Sequence, residues 1–196
     1  MQDQPTNRWN LMLRTLVVCG VLLGLGVAGR LLPHVASFTP VAAIALFAGF
    51  FFRRRLVALA IPLAIMFVSD AFLDATPLSL KITVYVAFLF PLVFAPLLRK
   101  RLSPVRIGGS ALIAALFFYV VTNFAVWLGT AFYPQTLGGL LACYGAALPF
   151  LAKKLLGDLL WSGAIFGTYA VIRQLQLRNV PFVNASIRAG SQKAAV

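Results

Sequence analysis

One histidine and four aspartates, with no glutamate, are all the carboxylate and imidazole chemistry that 196 residues carry. No nucleophile has an adjacent base, so the triad logic of covalent catalysis has no starting point. His34 stands alone, which excludes a multi-histidine metal centre, and the chain holds no Walker A, HExxH or GxSxG pattern. Cys19 and Cys143 lie in apolar surroundings and read as small buried hydrophobes. Gly24-Leu25-Gly26-Val27-Ala28-Gly29 spells GxGxxG. The dinucleotide fingerprint needs a strand before it and an acid about twenty residues on. Here the setting is an apolar helix, and Gly49 and Phe50 stand where the acid should be. The residues point to binding and not to an enzyme, with no cofactor and no metal.

The residue types suited to recognition are Arg30, His34, Asp70, Asn123, Trp127, Tyr144 and Asp158. They combine a cation, an imidazole, acids, an amide and aromatics, an inventory that fits a small polar or aromatic molecule. Asp158 follows Lys154 by four residues, so the two share a helix face and either pair or meet a ligand. Asn123 and Trp127 are also four apart; Asn123 glues helices or grips a ligand, and Trp127 is otherwise an interfacial aromatic. Asp70 has three readings: an interfacial cap, a cavity acid, or a partner for Arg30.

These residues must be positioned by membrane helices. The chain is 61% hydrophobic and only 11% charged, against roughly a quarter charged in soluble domains. Apolar runs cover Leu11–Gly29, Thr39–Phe52, Leu56–Leu73, Ile82–Leu98, Ile107–Gly129 and Leu155–Ile172. The fold class is therefore all-α, a six-transmembrane-helix bundle. Pro134 and Pro149 bound a Gly- and Ala-rich stretch, 134–150, that reads as a re-entrant or lid segment rather than a seventh crossing. Residues 1–10 form an N-terminal cytoplasmic segment, 11–173 the transmembrane domain, and 174–196 a basic tail expected to be disordered.

The net charge of +13 is topogenic and does not form a nucleic-acid face, since it sits in short clusters between apolar runs. With the N-terminus inside, thirteen Lys and Arg fall on the inner side, the Arg53-Arg54-Arg55 and Arg99-Lys100-Arg101 clusters among them. Only Arg30, Lys81, Lys153 and Lys154 fall outside. That bias predicts both termini in the cytoplasm. A signal-peptide reading of Arg8, Arg14 and the first apolar run is the alternative, leaving five spans. Gly20, Gly24 and Ala28 recur every four residues and form a small-residue face. It serves either internal packing or docking of a separate membrane partner.

Arg30-Leu31-Leu32-Pro33-His34, the run Phe38–Gly49, Ser69-Asp70, Thr122–Trp127, Tyr133-Pro134 and Gly138–Phe150 resemble an uncharacterised family of small bacterial integral membrane proteins. The resemblance covers roughly Arg30 to Gly167 and implies a bacterial inner-membrane location. That family distantly resembles the substrate-binding S-components of energy-coupling-factor transporters, by length, six helices and a small-residue first helix. The resemblance implies a vitamin-like ligand captured on the outer face. It also implies a transmembrane coupling protein and an ATPase as partners, with Gly20, Gly24 and Ala28 as the docking face. A non-transporting accessory or scaffold protein is the main alternative. A membrane enzyme acting on lipid, with His34 and Asp70 as its acid–base pair, is a third.

Overall fold

The computed structural model describes residues 5–32, 37–73 and 77–193, and no strand occurs among them. The helices are α1 (Pro5–Leu31), α2 (Val41–Phe51), α3 (Arg55–Asp70), α4 (Leu78–Leu89), α5 (Ala95–Lys100), α6 (Pro104–Gly129) and α7 (Leu137–Lys193). A 3-10 turn, Phe90–Phe94, joins α4 to α5. Among the described residues, four helical stretches are long and apolar enough to cross a membrane. They are Met12–Leu31, Leu78–Lys100, Pro104–Gly129 and Leu137–Arg178. The chain is thus an all-helical protein built for the membrane.

The axis of the bundle is α2. Its sequence is apolar all round, which only a fully surrounded helix tolerates, and every residue from Val41 to Gly49 is buried. Its 11 residues reach only about 16 Å at 1.5 Å per residue, roughly half the hydrocarbon thickness. A short helix leaves its last carbonyls in the interior without intrahelical partners. Arg99 supplies the missing donors: its guanidinium reaches the carbonyls of Gly49, of Phe50 at 3.1 Å and of Phe52 at 2.6 Å. Gly49 itself is required by packing, because a Cβ there would meet Leu92 and Ala95 at 3.1 and 3.2 Å.

Antiparallel pairing of successive helices gives the bundle two distinct ends. Arg30 of α1, Asp70 of α3 and Lys81 of α4 meet at one end. Met12 and Leu16 of α1 lie with Arg53, Arg54 and Val57 at the other. Close approach of α1 to its neighbours needs glycine, since a Cβ on Gly26 would strike Ile65 and one on Gly29 would strike Pro40.

The sequence-based boundaries fail most clearly at α7. The 134–150 stretch is no lid or re-entrant segment: Leu137–Phe150 is the first part of one helix continuous with Leu155–Ile172. Pro149 sits inside that helix without ending it. With no water to satisfy a broken backbone, one missing N–H costs less than unravelling a turn. The candidate span Leu137–Arg178 has 42 residues, about 63 Å of helix, twice the hydrocarbon thickness. The basic tail expected to be disordered is also helical as far as Lys193, where Gln174, Leu175, Gln176, Leu177 and Arg178 are all good helix formers.

Candidate functional site

The polar side chains gather at three places, each built by a different set of helices. The first is the Asp70 end. Asp70 closes α3 and accepts from two cations and a phenol. Arg30 Nη2 stands 2.8 Å from Oδ1, Lys81 Nζ 3.7 Å from Oδ2, and the Tyr85 hydroxyl donates to Oδ2 at 3.0 Å. Lys81 and Tyr85 are four apart on α4, so both face the same acid. The other Arg30 nitrogen donates to Ser69 Oγ at 2.8 Å, and Ser69 in turn donates to the Ile65 carbonyl at 2.6 Å. Arg30 is thereby fixed, whereas Lys81, with one long ion pair and a side chain 28% exposed, keeps donors to spare.

Beside this cluster lies a groove of about 590 Å³ between α3 and α4. Leu63, Phe67, Ile82 and Val86 form its walls, with Asp70, Lys81 and Tyr85 at its polar end. Phe67 is 76% exposed and Ile82 55% exposed, so the groove opens sideways, where lipid would surround the bundle.

The second place is the α6–α7 hairpin. Tyr144 donates to the Val120 carbonyl at 2.6 Å while Tyr119 donates to the Tyr144 carbonyl at 2.6 Å. Their rings meet edge-on at 5.4 Å. Asn123 donates to the Tyr119 carbonyl of its own helix at 2.8 Å, and the Trp127 indole donates to the Pro134 carbonyl at 3.0 Å. Gln135 closes the end of α6 on the carbonyls of Trp127 and Leu128. Tyr144 and Trp127 thus spend their donors holding one antiparallel pair of helices together, while Asn123 turns its amide to its own helix.

The third place is buried in the centre. Lys154 and Asp158 form an ion pair, Nζ to Oδ2 at 3.0 Å and Nζ to Oδ1 at 3.3 Å. The side chains are only 6% and 2% exposed. The better-aligned hydrogen bond is to Oδ1, while Oδ2 is held by charge alone. The ammonium also lies over Phe118 at 4.4 Å and Phe88 at 5.2 Å, so the aromatic faces replace part of its lost hydration.

The seven residues chosen from sequence therefore divide. Arg30 and Asp70 meet; Asn123, Trp127 and Tyr144 occupy the hairpin; Asp158 pairs with Lys154; and His34 lies outside the described residues. The proposed His34–Asp70 acid–base pair falls outside them as well. Lys81, Tyr85 and Ser69 complete the Asp70 cluster and were not chosen, although the four-residue spacing of Lys81 and Tyr85 was a usable signal. No group of three or more His, Cys, Asp or Glu able to hold a metal occurs among the described residues. Gly20 and Gly24 face open space, with nothing within 4 Å of a Cβ at either position. The small-residue face is therefore not consumed by packing within the chain at those two positions, whereas Ala28 is half-buried.

Residues 10–182 match a model described as a family of unknown function (DUF6580), and the chain belongs to that family. No curated protein and no solved structure matches it.

Proposed function

We propose that this member of the family is a small-molecule capture subunit of the bacterial cytoplasmic membrane. In this reading six helical segments cross the bilayer, both termini are cytoplasmic, and the Asp70 end faces outward. The orientation rests on the excess of arginine and lysine at the opposite end. The ligand is a vitamin-like molecule with an apolar body and a polar end. Its body lies against the α3–α4 groove and its polar end meets Lys81 and Tyr85. The observation that carries the reading is the Asp70 cluster at the polar end of that groove: two cations share one carboxylate, leaving a net positive charge beside apolar walls. Ionisable groups retained in a membrane protein are costly and usually serve a pathway or ligand. The reading assigns no catalytic step to the chain. Transport requires partners of the kind the S-component resemblance implies, a transmembrane coupling protein and an ATPase, docked on the α1 face.

The test is ligand-dependent stabilisation of the purified chain across a panel of vitamins and small amphiphilic carboxylates. A true ligand at a hundredfold its Kd adds about 2.7 kcal/mol of apparent stability. The reading expects Lys81→Ala to abolish that gain. A hit that stabilises Lys81→Ala and wild type equally would place the ligand elsewhere.

One observation favours the accessory or scaffold reading: Gly20 and Gly24 are open to a neighbouring helix. Both readings predict that Gly24→Leu removes a co-purifying membrane partner. Only the capture reading predicts that ligand binding is lost at Lys81 while that partner remains bound.

A further inference from the structure

At the arginine-rich end, a cavity of about 430 Å³ lies between α1 and the α2–α3 turn. Met12, Leu16, Phe51 and Val57 give it apolar walls, and Arg53 and Arg54 stand at its edge. We infer that this cavity holds an anionic membrane lipid, with its phosphate between the two guanidiniums and the start of an acyl chain along the apolar walls. The site lies at the opposite end from the Asp70 cluster and does not depend on the capture reading.

The argument is one of missing charge. Arg53 and Arg54 are exposed, and neither guanidinium has an ion pair or hydrogen bond among the described residues. Both described acids are engaged elsewhere, Asp70 with Arg30 and Lys81, Asp158 with Lys154. The carbonyls at the end of α2 that a nearby arginine would otherwise cap are already taken by Arg99. A third cation, Arg14, stands 5.9 Å over the Phe51 ring that forms one wall. Two cations therefore line one apolar cavity with a third over one of its walls, and the described part of the chain offers no anion to Arg53 and Arg54.

A phosphodiester accepts the planar two-donor edge of a guanidinium, which an ammonium does not reproduce. A small soluble anion would satisfy the arginines but leave the Met12, Leu16 and Val57 surface without a partner. A lipid satisfies both, and basic pockets between helices at a cytoplasmic surface suit anionic headgroups.

The experiment reconstitutes the full chain in nanodiscs of equal phosphatidylglycerol and phosphatidylcholine. Lipid retained after mild extraction is then counted by native mass spectrometry. Wild type should retain phosphatidylglycerol in preference to phosphatidylcholine. Arg53→Gln with Arg54→Gln should cut that preference about 25-fold, about fivefold per arginine at about 1 kcal/mol per basic side chain. Lys100→Gln with Arg101→Gln removes the same charge from the same end but touches no cavity wall, and should leave the preference intact. Leu16→Trp, which fills the cavity without altering charge, should also lower retention, and Arg53→Lys with Arg54→Lys should fall between. Inorganic phosphate at millimolar concentration should not displace the lipid. Equal loss in both charge-removing pairs would reduce the effect to diffuse surface attraction and overturn the site. Absence of any preference, or displacement by phosphate, would overturn it too.

Discussion

Removing the carboxylate of Asp158 should damage the protein far more than removing the whole ion pair. The Asp158→Asn change leaves the Lys154 ammonium, 6% exposed, facing a neutral amide oxygen in place of the carboxylate, beside the Phe118 and Phe88 faces at 4.4 and 5.2 Å. Breaking a buried pair by deleting one partner costs about 3–5 kcal/mol, because the remaining charge has no solvent. Cation–π contacts of about 2 kcal/mol when desolvated already exist in the wild type, so they offset none of that loss. The amide oxygen still accepts from the ammonium, which places the expected cost near the lower bound, about 3 kcal/mol. The double change Lys154→Met with Asp158→Leu replaces the pair by apolar side chains of similar length. It should be neutral or stabilising by up to about 4 kcal/mol. The assay is reversible unfolding of the purified chain in mixed micelles of rising dodecyl sulfate, followed by circular dichroism. Asp158→Asn as stable as wild type would refute the reasoning. So would a double variant as damaged as the single, because the pair would then matter for something other than charge balance.

Two further substitutions test how the helices are held. Gly139→Ala should open the α6–α7 hairpin, since a Cβ there collides with the Pro134 carbonyl that receives the Trp127 indole. A loss of about 2 kcal/mol or more is expected, in the range of steric and hydrogen-bond defects combined, and an unchanged unfolding midpoint would show that the turn relaxes freely. Arg99→Gln leaves three carbonyls at the end of α2 short of donors. At about 1.5–3 kcal/mol for a charged hydrogen bond it should destabilise more than Lys100→Gln, whose side chain has no hydrogen bond or ion pair among the described residues; equal effects would reduce Arg99 to a topogenic charge.

Much of the helix order was legible because apolar length needs no tertiary information. The six apolar runs correspond to α1, α2, α3, α4 with α5, α6 and the middle of α7. The error at 134–150 came from the charge count, which disfavoured a seventh crossing, and from taking Pro149 as a boundary; a helix that continues through Pro149 lengthens the last span without adding a crossing. The Lys154–Asp158 pair was readable from spacing, and the Arg30–Asp70 pair was one of three readings of Asp70. Spacing alone does not say whether an amide turns to its neighbour or to its own helix, so Asn123 looked available when its donor goes to Tyr119. The role of Arg99 was hidden for a different reason: its acceptors lie some fifty residues away in sequence, and a cluster of basic residues after an apolar run reads the same whether it caps a helix or only orients it.

The central claim, ligand capture at the Asp70 end, is met most directly by native mass spectrometry of the chain extracted gently from its own membrane with bound metabolites retained. The account predicts a small-molecule adduct on the wild-type chain that disappears from Lys81→Ala and weakens in Tyr85→Phe, with helical content unchanged in both. A bare wild-type chain, or an adduct that survives both substitutions undiminished, would contradict it.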